Sequence, residues 1–236
     1  MIASTLNGII DRRILINYRI KPEIVSTLLP PHLQPLIING YASAGICLLR
    51  LKDIGIRSSP SFLRINSENA AHRFLVTYKE NGNIMQGVYI PRRDTDSLLN
   101  VFLAGKILSW PHFSDSFRVA EHDGSYFVDM RSRDGKTQIK VDAMSGYKFP
   151  SNSMFHSLEH ASSCFENCST GISPSTSPGI FKAIHLCTRN WKVSPLKIKS
   201  LSSSYFQDQS VFPPGSITFD NALLMQNVNH EWRIKK

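Results

Sequence analysis

Apolar and polar residues alternate with period two along much of this chain. From Ala70 to Tyr78 one face would carry Ala70, His72, Phe74, Val76 and Tyr78, and the other Ala71, Arg73, Leu75 and Thr77. That alternation predicts a strand. Asn81-Gly82-Asn83 follows with residues that tolerate positive φ at a turn, and Val88-Tyr89-Ile90 returns as the partner strand. Pro91 is expected to end it, having no amide hydrogen for the ladder. Phe113 to Glu121, Ser125 to Arg133 and Lys136 to Ala143 form a meander joined at Asp123-Gly124 and Asp134-Gly135. Arg12 to Ile20 reads as a first strand, and Leu36 to Ile38 pairs with Tyr41 to Leu51 across Asn39-Gly40. Ala183 to Val193, Leu196 to Phe206 and Ser216 to Met225 add three more. The connection from Ile54 to Ile65 reads as a lid or rim, and Ser173 to Gly179 as a loop.

Helical spacing is confined to three places. Pro22 to Leu29 has proline in its first turn and Pro30-Pro31 after its end. Leu98, Leu99, Phe102, Leu103 and Ile107 share one face of a helix that Asp94 or Asp96 would cap. Phe155 to Cys168 is the third, with Gly171 beyond its end. The class is therefore mainly β (α+β), a curled antiparallel sheet with two or three flanking helices, in a single domain over residues 1–236. His156, His160, Cys164 and Cys168 recur every four residues. Such a stripe rotates around a helix, so the four do not converge on one ion, and no metal is expected. The cysteines then pack as small apolar groups.

Composition changes this picture little. Of the 236 residues 42% are hydrophobic and 19% charged, ordinary for a globular protein with one substantial core. No apolar run approaches the ~18 residues of a membrane span. The first residues lack the basic start and apolar stretch of a secretory signal, so a cytoplasmic protein is expected. Four cysteines are too few for a disulfide framework. The formal charge of +9 is scattered, without the continuous basic stripe and interleaved aromatics of a nucleic-acid groove.

Candidate chemistry concentrates between Ser67 and Ser116. Glu68 opens a strand that turns apolar, where a carboxyl group can serve as acid or base. His72 and Arg73 point to opposite faces, as do Arg92 and Arg93; one of the arginines can clamp a carboxylate bidentately. Lys106 lies near the end of its helix, and His112 has an unperturbed pKa near ~6.5 that suits proton transfer. Glu68 and His112 are the catalytic candidates. Lys106, Arg92, Arg93, His72 and Arg73 are the ligand-binding ones.

The order of parts resembles the acetoacetate decarboxylase superfamily, most of all its uncharacterised, domain-of-unknown-function branch. The resemblance rests on Ile10-Asp11-Arg12-Arg13 through Tyr18-Arg19, Pro22-Glu23, Leu28-Leu29-Pro30-Pro31, Ser67-Glu68-Asn69, Val88-Tyr89-Ile90-Pro91, and Gly105-Lys106-Ile107 leading to Trp110-Pro111-His112-Phe113. It covers the first half well and the second half loosely. It implies a cone-like β-barrel with an interior site, and makes self-association into a homo-oligomer plausible. It also implies that Glu68 matches a functional carboxylate, while His112 stands where the decarboxylases place their Schiff-base lysine. Their essential arginine falls on Asp11, with Arg12 one position away. An imidazole forms no stable iminium. The expectation is a barrel that binds a small organic anion or carbonyl compound without Schiff-base decarboxylation and without a cofactor. The alternative is an isomerase, hydratase or lyase using Glu68 and His112 for proton transfer.

Overall fold

A computed structural model describes residues 5–56, 60, 64–97, 113–177 and 179–235. The expected helix from Leu98 to Ile107, with Lys106 and His112, lies outside the described residues. The elements in chain order are β1 (Thr5–Ile20), α1 (Pro22–Leu28), β2 (Leu33–Pro35), β3 (Ile37–Ile38), β4 (Tyr41–Ile56), β5 (Ile65–Glu80), β6 (Asn83–Thr95), β7 (Phe113–His122), β8 (Ser125–Ser132), β9 (Gln138–Met144), α2 (Leu158–Asn167), β10 (Thr170–Pro174), β11 (Phe181–Thr188), β12 (Ser194–Ser203) and β13 (Ile217–Lys235). Neither helix is long and apolar enough to cross a membrane.

One mixed sheet wraps into a ring. Its pairings run β6-β7-β8-β9-β12-β13-β1-β4-β5, and the β5–β6 hairpin closes the circuit. All are antiparallel except β6–β7. β10 and β11 add a second bridge from β6 to the end of β13. Two-residue turns set several registers: Asn81-Gly82 and Asp123-Gly124 have φ of 50° and 80°, and of 46° and 73°. Positive φ at both positions is the type I′ geometry whose twist matches that of the strands.

Strand alternation sorts the side chains into two cores. Ile14, Ile16, Ile46, Phe74, Val128, Ile139 and Leu224 meet from around the ring and form the inner core. Tyr205, Phe206 and Phe212, from the connection between β12 and β13, pack into it as an aromatic plug, with Phe206 centred 4.7 Å from Tyr18 and 5.4 Å from Phe212. The outer core sets Leu15, Leu75, Leu223 and Met225 against Phe155, Ala161 and Phe165 of α2 and its approach. Gly45 lets the sheet close there, because a Cβ at that position would stand 2.2 Å from the Ile16 carbonyl oxygen.

Several boundaries depart from the sequence reading. β6 runs through Pro91 to Thr95 instead of stopping. The β5–β6 register shifts between Phe74↔Tyr89 and His72↔Arg92, so β6 carries one extra residue there. A bulge of this kind frees the proline from the ladder. Asp94 therefore lies within a strand. Ser173 and Pro174, the start of the expected loop, instead end β10, which is held by Val88 and Tyr89 on one side and β11 on the other. β4 extends to Ile56, and β13 continues well past Met225. The third helix begins at Leu158, not near Phe155, because Ser157 is its N-cap and accepts a hydrogen bond from His160 N at 3.2 Å. Ser157→Ala is expected to cost about 1 kcal/mol in chemical denaturation, the usual worth of such a cap.

Candidate functional site

A charged network at the inner face is built on β1. There the β1–β4 register slips between Ile10 and Arg12, leaving Asp11 as the extra residue. Ile10 belongs to the outer core, whereas Arg12 follows the bulge onto the inner face ahead of Ile14 and Ile16. Arg12 is 1% exposed, yet both ends of its guanidinium find carboxylates. Nη2 donates to Glu68 Oε2 at 2.5 Å, and Nη1 donates to Glu121. Arg50, directly opposite Glu68 in the β4–β5 pair, donates from Nε to Glu68 Oε1 at 2.6 Å and lies 2.8 Å from Glu121 Oε1. Asp11 pairs with Lys52 at 2.8 Å and reaches Arg50 Nη1 at 3.5 Å. Two guanidiniums and two carboxylates thus neutralise one another, and charge-assisted pairs of this geometry hold β1, β4, β5 and β7 in fixed relation.

Glu68 is further anchored through its backbone. Its N–H donates to Asp96 Oδ1 at 2.9 Å, and its carbonyl accepts from Asp96 N at 3.1 Å. Its side-chain partners are Arg12 and Arg50.

A second inner-face group surrounds His72. The imidazole is buried against Tyr205, with ring centroids 4.7 Å apart, and 5.6 Å from Phe206 of the plug. Burial, helped by the Arg92 guanidinium, pushes its pKa down to about 3, so the ring is neutral at physiological pH. Arg92 crosses the face of Phe113 at 4.0 Å, donates from Nε to Asp94 Oδ1 at 2.6 Å, and grips Asp134 with both Nη atoms at 2.8 and 3.1 Å. Asp94 and Asp115 are both buried, and one carboxylate oxygen of each, Oδ2, has no hydrogen-bond partner among the described residues. Burial and the Asp115 carboxyl raise the Asp94 pKa to about 8, against the opposing pull of Arg92.

The candidates chosen from sequence are therefore divided. Glu68, His72 and Arg92 lie on the inner face. Arg73 and Arg93 lie on the outer face, where burial lowers each guanidinium to about 10; Arg93 Nε donates to Ser173 Oγ at 3.3 Å. Lys106 and His112 lie outside the described residues. Sequence reasoning missed Arg50, Glu121, Asp94 and Asp115 as members of the site, and took Arg12 for a neighbour of the relevant position. Arg12 precedes Ile14 and Ile16 at period two, and that alternation was the available signal.

The DUF2071 family, described as an uncharacterised conserved protein, matches residues 10–164, more than half of the chain. No match was found among curated proteins. Among solved structures, acetoacetate decarboxylase from Legionella pneumophila subsp. pneumophila str. Philadelphia 1 is similar at TM-score 0.61 and 10% identity, over 99% of this chain and 88% of that one. An acetoacetate decarboxylase-like enzyme from Sphingomonas wittichii RW1 gives 0.58 and 12%, over 99% and 92%. The enduracididine biosynthesis enzyme MppR complexed with pyruvate gives 0.58 and 10%, over 98% and 89%. At such identities these likenesses establish architecture alone. This chain belongs to the DUF2071 family, and its fold is of the acetoacetate decarboxylase-like type.

Proposed function

We propose that the chain binds a small organic anion or carbonyl compound inside the ring and does not decarboxylate it through a Schiff base. The observation that carries this reading is a pair of unused buried nitrogens on the inner face. Arg12 Nε and His72 Nε2 have no hydrogen-bond partner among the described residues. A buried donor left in that state costs about 1–3 kcal/mol, which a ligand carboxylate or carbonyl oxygen would recover. The self-neutralised network around Arg12 favours a small or singly charged ligand, since it offers no net positive charge of its own. MppR, of similar fold, is found in complex with pyruvate, a ligand of this class. His112, at the position the sequence likeness gives to the reactive lysine, removes the amine that imine formation needs.

A second reading is an enzyme that moves protons beside a carbonyl without an imine, using Glu68 and His112. The raised pKa of Asp94 favours it, because it keeps that carboxyl group protonated on the same face at neutral pH. Two measurements separate these readings from imine chemistry. Borohydride reduction in the presence of pyruvate and other 2-oxo acids is expected to give no covalent adduct; a stable adduct on Lys106 would overturn the proposal. Calorimetric binding of the same acids is expected to weaken on Glu68→Gln while the fold persists. Binding that is unchanged in that variant would make Glu68 a purely structural carboxylate.

A further inference from the structure

The recurrence of Cys164 and Cys168 finds no use at the inner face. Cys164 lies in the last turns of α2, and Cys168 is its C-cap, with the Cys168 N–H donating to the Cys164 carbonyl at 3.1 Å. A helical rise of about 1.5 Å per residue puts α-carbons four positions apart at about 6 Å, within the roughly 4.4–6.8 Å that a disulfide spans. The backbone bond between the two residues fixes that spacing.

Beneath them is Arg73, 2% exposed. Its guanidinium sits 4.7 Å from the centroid of the Phe165 ring and donates to Asn17 Oδ1. Its Nε has no hydrogen-bond partner, and no carboxylate pairs with it, among the described residues. The ionisable groups that face it are Cys47, Cys164, Cys168 and a second cation, Arg13. Three of the four cysteines therefore surround one buried positive charge that lacks a conventional counter-ion.

The two helix thiols are not equivalent. The neighbouring Cys168 thiol, with the Arg73 charge, holds Cys164 below the usual thiol range. Cys168 is pushed up by its contact with Cys164 and by burial, and its thiol donates to Gln86 Oε1 at 3.9 Å. Cys164 is half-buried, while Cys168 is 3% exposed. Access of that kind admits a small oxidant and excludes a protein disulfide.

We propose that Cys164 and Cys168 form a redox-active dithiol that reduces a hydroperoxide, Cys164 attacking and Cys168 resolving. The Cys164 thiolate attacks the terminal peroxide oxygen, so that an S–O bond forms as the O–O bond breaks. The departing oxygen takes a proton and leaves as water or an alcohol. Cys168 sulfur then attacks the Cys164 sulfenic acid; the S–S bond forms, the S–O bond breaks, and the hydroxyl leaves as water with the Cys168 proton. Two thiols are oxidised and one peroxide is reduced, and an external dithiol such as dithiothreitol restores the pair.

The full reduced chain, treated with hydrogen peroxide and digested without reductant, is expected to show one intramolecular Cys164–Cys168 link with the loss of two hydrogens. Cys168→Ser should accumulate a sulfenic acid at Cys164 that dimedone captures, and Cys164→Ser should abolish both products. Arg73→Gln should slow alkylation of Cys164, because it removes the buried cation that favours the thiolate. Should that variant not fold, the wild-type rate of Cys164 alkylation against pH decides, with a midpoint expected below that of free cysteine. Oxidation confined to Cys187, a link to Cys47 in place of Cys168, or a Cys164 midpoint at the free-cysteine value would overturn the assignment.

Discussion

Replacing Arg12 by methionine is expected to lower stability by about 3 kcal/mol, the lower end of what breaking a buried ion pair costs. The loss comes less from forfeited attraction than from what stays behind. Glu68 and Glu121 would face each other with only Arg50 between them, and Arg50 is one-quarter exposed where Arg12 is 1% exposed. Their mutual repulsion would fall on β5 and β7, which the guanidinium now ties to β1. Arg12→Lys should recover only part of the loss, since one ammonium group cannot bridge two carboxylates in the fork geometry of arginine. Combining Arg12→Met with Glu68→Gln should be milder than the sum of the single changes by at least about 1 kcal/mol, as expected for residues in direct contact. Urea denaturation of the four proteins measures this. A loss below about 1 kcal/mol for Arg12→Met would put the network in the class of surface ion pairs and remove its structural role.

Stability should pass through a maximum near pH 6.5. His72 and His230 have folded pKa values of about 3 and about 4, below the ordinary 6.5, so the unfolded chain binds more protons than the folded one between those limits. Stability from these two groups is present above pH 6.5 and drains away as pH falls. Asp94 acts in the opposite sense. Its folded pKa of about 8 lies above the ordinary 3.8, so its contribution is complete below pH 3.8 and is lost as pH rises through 8. Between about pH 4 and 6.5 two histidines oppose one carboxyl group, and stability climbs with pH. From 6.5 to 8 Asp94 acts without them, and stability falls. Asp134, held low by Arg92, and Glu159, held low at the start of α2, steepen the acid side. Thermal melts across this range read the profile. Asp94→Asn has no proton to lose in this range, and should abolish the decline above pH 6.5 while leaving the acid limb in place. A decline that persists in Asp94→Asn would show that the Asp94 carboxyl group is not its origin.

The sequence declared the β-rich class because alternation and paired turn residues are local signals, legible without knowing what the strands meet. Asn81-Gly82 and Asp123-Gly124 each settle a register in two residues. The site was less legible for a physical reason: two bulges decide which side chains face inward, and an extra residue in a strand leaves no mark on composition. At Asp11 the bulge selects Arg12 for the inner face, and a gapless reading lands one residue short. At Ile90 and Pro91 it lets β6 continue, turning Asp94 from an expected helix cap into a buried acid. Glu121 ends its strand beside a turn, where a charge is normally solvated, and its partner Arg12 lies 109 residues away in sequence. Alternation did separate His72 from Arg73 and Arg92 from Arg93, and the inner member of each pair follows once the cores are located.

The place of β13 has a bearing on how the molecule is made. This nineteen-residue strand lies between β1 and β12 and also receives β11, so a segment made some two hundred residues after β1 joins that strand to the rest of the wall. Bringing together partners some two hundred residues apart is slow, because the entropy of a long intervening chain must be surrendered before the contacts form. Until the ribosome releases β13, β1 is left with one open edge and half of its hydrogen-bonding groups unmet. Edges in that condition recruit other chains. Synthesis of this protein therefore includes an interval of exposure to aggregation that ends only when β13 slides into place.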